Sequence, residues 1–400
     1  MLELLYAFRD ITASDRGSTR IAYTSGEQAA HDLVWEFLGG LDGLTRVEDA
    51  AGNLFVVPET ALQDATRTVL LLGSHLDTVI EGGWLDGTLG VAAAMTALRS
   101  LARGGRAHPD VGLVVFRDEE GVRFNTGLFG SSVFAGRCGP EDLEVHDADG
   151  VRVGNVVPDP AGCVEYRPPV TPRAFLECHI EQGLRLIDRN ERIGVVSGIV
   201  GIRRYLLTAV GTANHAGTTG MDRRRDALVP AADVIARLPE LVKGLASAVI
   251  TCGRLSVEPG AANIVPGRVE GVIEMRAETV ADLDVIGRRL GELVSEARNH
   301  TDVELRLEPI VAVEPVATDV ALRDTLRSVL DESGVPYSIM PSMAGHDTQH
   351  AAYRCPAAMF FIPSLNGISH NPDEASRPED IELAGTVMTA WAQRCLDASG

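Results

Sequence analysis

A chain of 400 residues exceeds what one hydrophobic core usually accommodates, so two domains are expected. With 45% hydrophobic and 23% charged residues it has the make-up of an ordinary soluble globular protein, and a formal net charge of -20 argues against nucleic acid or an anionic membrane surface as a partner. No apolar run approaches the roughly 18–20 residues of a membrane span, and the opening MLELLYAFRD has early charges and no small-residue cleavage pattern. The cysteines (Cys138, Cys163, Cys178, Cys252, Cys355, Cys395) are scattered without C-x-x-C pairs, which reads as reduced, mostly buried thiols of a cytoplasmic protein.

Along the chain, residues 26–38 carry helical apolar spacing at Ala29, Leu33, Val34 and Phe37, ended by Gly39-Gly40, with His31 read as a surface residue. Short strands are expected at 46–47 and 53–57. The run 69–72 (VLLL) reads as a buried strand emptying into His75 and Asp77. Asp86 follows, then Gly87 and Gly90, and 91–101 reads as an Ala-rich helix. A strand end facing a helix start is where an open α/β sheet places its ligand site. His75 can bind a divalent metal through a neutral ring nitrogen. Asp86 has two oxygens and can span two metals. Asp77, two residues from His75, is placed to orient that ring. The plain alternative is a polar loop with a solvated histidine and two turn aspartates.

Residues 111–116 (VGLVVF) form another buried-strand run, ending in Arg117-Asp118-Glu119-Glu120-Gly121. Two adjacent carboxylates face inward together only if the chain turns there, and Gly121 helps. Such a pair divides labour between a metal ligand and a free general base; a solvated acidic loop is the alternative. Residues 138–170, rich in Gly, Pro and Asp, read as a surface wrap with little regular structure and an exposed His146. The strand 173–178 then delivers His179-Ile180-Glu181-Gln182-Gly183. Gln182 has a donor and an acceptor suited to an amide or urea, and Cys178 reads as a core thiol.

From about 202 the texture changes to strand 203–210, helix 226–245, strands 248–257 and 268–275, helix 281–296 and strand 303–310. That β-α-β-β-α-β order matches a ferredoxin-like split βαβ unit, here carrying His215, Asn263 and Arg276. The reading is an α/β protein with a mixed-sheet catalytic domain (1–201 and 315–400) and an inserted α+β domain at 202–314. The first domain resumes with a helix over 319–330, a helical stretch opened by Ala344-Gly345-His346-Asp347, a buried strand over 357–362 and a closing helix over 378–396. His370 stands beyond the 357–362 strand; His300 and His350 read as surface groups. Asp347 reads either as support for the site or as a helix cap.

His75, Asp86, Glu120, His179 and His370 thus collect at strand ends, with Asp77 and Glu119 beside them. Three imidazoles and two carboxylates suit Zn²⁺, Mn²⁺, Co²⁺ or Ni²⁺. Five ligands exceed one open catalytic zinc and suit two metals about 3.5–4 Å apart with a bridging carboxylate.

The segments GSHLDTV, the DG after GGW, RDEEGVRF, HIEQG, NHAGTT and SHNPDE together resemble the metal-dependent amidohydrolases of the M20 peptidase superfamily. Within it they most resemble the hydantoinase/carbamoylase branch of N-carbamoyl-L-amino-acid hydrolases, allantoate amidohydrolases and β-ureidopropionases. The resemblance implies an aminopeptidase-like catalytic domain with an inserted lid and dimerisation domain, and a homodimer. It implies His75, Asp86 and His179 on one metal and Asp86, Glu120 and His370 on the other, with Asp86 bridging. Glu119 would be the general base and Asp77 the orienting residue for His75. His215 would polarise the scissile carbonyl from the other subunit of the dimer, Asn263 and Arg276 would bind the substrate carboxylate, and Gln182 the ureido group. The expected substrate is a small ureido or amide carboxylate, an N-carbamoyl-L-amino acid or allantoate. Two departures are Gly220, where the family often has proline, and EMRAE around Arg276. An N-acyl-amino-acid deacylase or dipeptidase using the same metals is the alternative within enzymes; a non-catalytic metal- or ureide-binding protein is the alternative outside them.

Overall fold

The computed structural model describes residues 1–398. The chain divides into two compact units, Met1–Ser197 with the chain from Ala317 onward, and Gly198–Val316. The first unit is α/β, built on a nine-stranded mixed sheet. Its centre is four parallel neighbours, in the order Ala357–Ile362, Thr171–Ile180, Thr68–His75 and Val111–Phe116. Leu54–Pro58 and then Leu44–Glu48 follow antiparallel on one side. Ile193–Ile199 pairs antiparallel on the other and is joined there by Tyr337–Ser342.

The strands 111–116 and 357–362 are buried along their whole length, as parallel strands covered on both faces must be. Alternation sends Leu70 and Leu72 to one apolar layer and Val69 and Leu71 to the other. The first layer is closed by the helices Leu2–Thr12, Ser25–Leu38, Thr88–Leu101, Val320–Ser333 and Pro378–Asp397. Thr88–Leu101 is buried almost all round, which explains its Ala-rich composition. The second layer takes Phe116, Phe134, Phe175 and the buried side chains of the 138–170 wrap, among them Val153, Cys163 and Tyr166. That wrap has little regular structure, as expected, beyond two short 3₁₀ turns and the helix Pro160–Val164.

The helix over 25–38 differs from its sequence reading. Its buried positions are Glu27, Ala30, His31, Val34 and Leu38, so the inward stripe is rotated from the expected one and His31 is fully buried rather than on the surface. The cause lies in a distant group: the buried Arg117 guanidinium reaches Glu27 at 2.5 Å and Gln28 at 2.8 Å and draws that face inward. His350 was also expected at the surface; it lies largely covered in the short helix Asp347–Ala351, where burial pushes its imidazole down to about 4. His146 and His300 are exposed. The described cysteines are free thiols, four of them buried. No helix among the described residues is long and apolar enough to cross a membrane.

The second unit holds a four-stranded antiparallel sheet in the order Val249–Glu258, Arg268–Ala277, Gly201–Val210, Glu304–Val313. The helices Leu228–Leu241 and Val280–Asn299 share its apolar core. Val269, Ile273 and Met275 point into that core, so Glu274 and Arg276 share the opposite face.

Candidate metal centre and active site

The four parallel strands end level with one another, because Gly73 pairs with Glu177, His75 with Phe116, and Phe361 with His179. His75 closes its strand and His179 stands one residue before the end of its own. Both rings are buried, with centroids 5.9 Å apart. His75 Nδ1 faces the Asp77 carbonyl at 3.1 Å, and His179 Nδ1 faces that of Ile180 at 3.0 Å. A carbonyl oxygen only accepts, so each Nδ1 carries the hydrogen and each Nε2 presents a lone pair inward. The Gly87 N–H lies 3.2 Å from His179 Nε2, in keeping with that tautomer.

Asp86 stands in the middle. Its Oδ1 lies 2.9 Å from His179 Nε2 and 3.5 Å from His75 Nε2, while its Oδ2 lies 3.3 Å from His370 Nε2. Glu120 Oε2 is 3.4 Å from that same His370 nitrogen. The result is two ligand triads, His75/Asp86/His179 and Asp86/Glu120/His370, each with its donor atoms within 4.8 Å of one another and each using a different Asp86 oxygen. Gly87 makes this approach possible: its φ of +62° is open to glycine, and a Cβ there would overlap the His75 ring.

The donor set fits divalent metal. Imidazole nitrogens and carboxylate oxygens are borderline N/O ligands. His75 Nε2 and Glu120 Oε1 are buried without a hydrogen-bond partner. Burial opposes charge on His75, yet Glu119, Asp77 and Asp86 hold its imidazole well above the usual range. Burial likewise pushes the Asp86 carboxyl up, but His179, His370 and His75 hold it well below. The field thus calls for positive charge between these groups, which a cation supplies.

Glu119 and Glu120 both face inward because the chain turns sharply, with Asp118 at φ +54° and Gly121 at φ +63° on either side. Asp77 holds that turn: its Oδ1 accepts the Glu119 N–H at 3.1 Å and its Oδ2 the Glu120 N–H at 3.0 Å. The Asp77 carboxylate thus grips the Glu-Glu turn and also lies 3.5 Å from His75 Nδ1, beside the Asp77 backbone carbonyl that meets the imidazole. Glu119 Oε2 lies 3.7 Å from His75 Nε2. Burial, with Glu120 beside it, pushes the Glu119 carboxyl well up; burial and Asp86 push Glu120 to about 7.

Gln182 sits at φ +58° and donates from Nε2 to Asp86 Oδ2 at 2.8 Å. His346 packs edge-on against His179, centroids 4.5 Å apart, with both ring nitrogens buried and unpartnered. It is His346, not Asp347, that occupies the cap position of its helix, and no side chain caps that helix. Three groups escape a reading of spacing alone. Glu177 accepts from Ser74 Oγ and from the Thr348 hydroxyl and N–H. Glu374 and Ser369 contact the Asp86 loop.

The remaining candidates lie in the second unit. His215 is exposed, and its Nδ1 accepts the Gly217 and Thr218 N–H groups at 3.0 and 3.2 Å, which leaves the ring hydrogen on Nε2. The short strand carrying it pairs with Ile264–Val265, and the Ala216 N–H reaches the Asn263 carbonyl at 2.9 Å, so His215 and Asn263 are neighbours. Arg276 is paired with Glu274 at 2.8 Å.

Residues 71–394 match the sequence profile of peptidase family M20/M25/M40. The chain is 36% identical over 383 residues to the N-carbamoyl-L-amino acid amidohydrolase of Geobacillus stearothermophilus, covering 94% of this chain and 93% of that one. It is 33% identical to the allantoate amidohydrolase of Bacillus subtilis over 388 residues, covering 94% and 92%. The crystal structure of a hydantoinase/carbamoylase family amidase from Burkholderia multivorans superposes with a TM-score of 0.87 at 32% identity, covering 98% of this chain and 96% of that one. The chain belongs to peptidase family M20/M25/M40, and its relatives set it among the hydantoinase/carbamoylase amidases.

Proposed function

We propose that this protein is a dinuclear metal-dependent amidohydrolase that cleaves the ureido C–N bond of an N-carbamoyl-L-amino acid or of allantoate. One observation carries the reading: a single buried carboxylate, Asp86, turns one oxygen to each of two ligand triads, with the Glu119 carboxylate at their edge. His75, Asp86 and His179 would hold one divalent ion, and Asp86, Glu120 and His370 the other, drawn from Zn²⁺, Mn²⁺, Co²⁺ or Ni²⁺. When bound, such ions polarise the carbonyl and acidify a water toward neutrality.

The chain's own groups do the rest. Glu119 takes the proton from the attacking water and returns it to the leaving nitrogen. His215 donates from Nε2 to the carbonyl oxygen as negative charge develops there. Arg276 and Asn263 bind the substrate carboxylate, for which a guanidinium fork has the right shape, and Gln182 meets the ureido group. Hydrolysis of the ureido carbonyl gives the amino acid and carbamate, which decomposes to CO₂ and ammonia. The second unit, with its β-α-β-β-α-β order, acts in this reading as a ferredoxin-like lid and dimerisation domain of a cytoplasmic homodimer.

The test is a panel of N-carbamoyl-L-amino acids, allantoate, N-acyl-amino acids and dipeptides, assayed on Mn²⁺- and Zn²⁺-loaded protein. Ammonia release from a ureido substrate is expected. Turnover of dipeptides or N-acyl-amino acids with none of the ureido compounds would reassign the enzyme as a peptidase or deacylase, and no turnover at all would favour a binding protein.

A further inference from the structure

We infer that Glu374 is a positioning residue that locks the two loops bearing Asp86 and His370 to one another, and so sets the second metal triad. The inference rests on the dinuclear reading above. Glu374 is 2% exposed. Its Oε1 accepts two backbone N–H groups, from Leu85 at 2.8 Å and from Asp86 itself at 3.1 Å. Its Oε2 lies 2.9 Å from Ser369 Oγ, and that hydroxyl is also 3.0 Å from Asp86 Oδ2. A hydroxyl has one hydrogen, so Ser369 serves one of the two carboxylates at a time. The Trp84 indole N–H meets the Glu374 carbonyl at 3.1 Å and fastens the same two segments a second time.

These contacts are selective. The oxygen touched by Ser369 is Oδ2, the one facing His370. Oδ1, facing His75 and His179, receives nothing from this bracket. Ser369 also immediately precedes His370, so the bracket acts on two of the three ligands of one triad. Gly83 is part of the arrangement, because a Cβ at that position would overlap the Glu374 carboxylate. Outer contacts of this kind commonly change metal affinity by about 10–100-fold.

The test is calorimetric titration of chelator-stripped protein with Mn²⁺, with thermal unfolding followed alongside. Wild-type protein should take up two equivalents. In Glu374→Ala one equivalent should weaken by about 10–100-fold, while the other changes by less than about threefold. Glu374→Gln keeps an acceptor for the Leu85 and Asp86 N–H groups and should restore wild-type binding to within about threefold. Gly83→Ala, which leaves Glu374 in the sequence but displaces it, should reproduce the Glu374→Ala result. If Glu374→Ala fails to fold, Ser369→Ala reads the same link, and weakening of the same single equivalent is expected. Wild-type affinity for both equivalents in Glu374→Ala, Gly83→Ala and Ser369→Ala, or equal loss of both, would overturn the inference while leaving the dinuclear reading standing. A wild-type protein that takes up fewer than two equivalents would overturn that reading and the inference with it.

Discussion

Replacing Asp77 with Asn should cripple turnover while sparing metal binding at His75, Asp86 and His179. The Asp77 carboxylate accepts two backbone N–H groups, Glu119 at 3.1 Å and Glu120 at 3.0 Å. A carboxamide has the same shape but one acceptor; its NH₂ must face the other N–H. One backbone donor is then orphaned in a site where Asp77 is 2% exposed. The cost of such an orphan is about 1–3 kcal/mol, and the turn relieves it by moving. A shift of about 1 Å in a catalytic group costs on the order of 10²-fold in rate, so kcat should fall by that factor, with a fall of a few degrees in Tm. The nearer partner of His75 Nδ1 is the Asp77 backbone carbonyl at 3.1 Å, which the substitution keeps, and the side-chain oxygen at 3.5 Å stays an oxygen or becomes an amide of the same shape. Metal affinity at His75/Asp86/His179 should therefore change little, and excess metal should not restore kcat. The assay is steady-state ammonia release against Mn²⁺ concentration. Recovery of wild-type kcat at saturating metal would refute this reasoning and return Asp77 to a role on His75 alone.

Glu119→Gln should lower kcat by about 10²–10⁴-fold while metal analysis still finds the ions bound; ordinary activity would remove Glu119 from the proton-transfer step. Gly87→Ala forces a side chain into a φ of +62° and onto the His75 ring. Metal affinity should collapse along with stability, the backbone strain alone amounting to about 1–3 kcal/mol. For chelator-treated protein the pH dependence has a definite sign. The Glu120 carboxyl is held at about 7 in the fold against an ordinary 4.5, so the folded state keeps a proton that the unfolded chain has lost. Its contribution is full at pH values below about 4.5 and is lost as pH rises through about 7. Added metal needs that carboxylate ionised, so the rise in Tm on adding Mn²⁺ should grow across the same interval. A metal-induced shift that shrinks from pH 5 to pH 8 would contradict this.

The chain announces its parallel core because those strands are continuous apolar runs; 111–116 and 357–362 have the bounds expected of them. The gathering of His75, Asp86, Glu120, His179 and His370 is legible for a related reason. Polar ligand types stand where such runs stop, and the register brings the stops together. Helix Leu2–Thr12 is a weak signal because its buried stripe is only Leu4, Leu5 and Phe8, about one turn of apolar repeat. Ile193–Ile199 and Tyr337–Ser342 are broken by Gly, Pro or Ser and make weak strand signals. Buried ionic partners leave no local trace: Arg117 meets Glu27 across 90 residues, and Glu374 meets the Asp86 N–H across 288. Asp77 shows the same limit at closer range. Spacing places it beside His75, and only the fold shows its oxygens on the Glu119 and Glu120 backbone.

The most direct measurement is anomalous diffraction at the manganese edge from a crystal soaked in Mn²⁺. Two peaks are expected, one on the Oδ1 side of Asp86 between His75 and His179, the other on the Oδ2 side between Glu120 and His370. A single peak that leaves one triad empty, or peaks away from Asp86 altogether, would contradict the account.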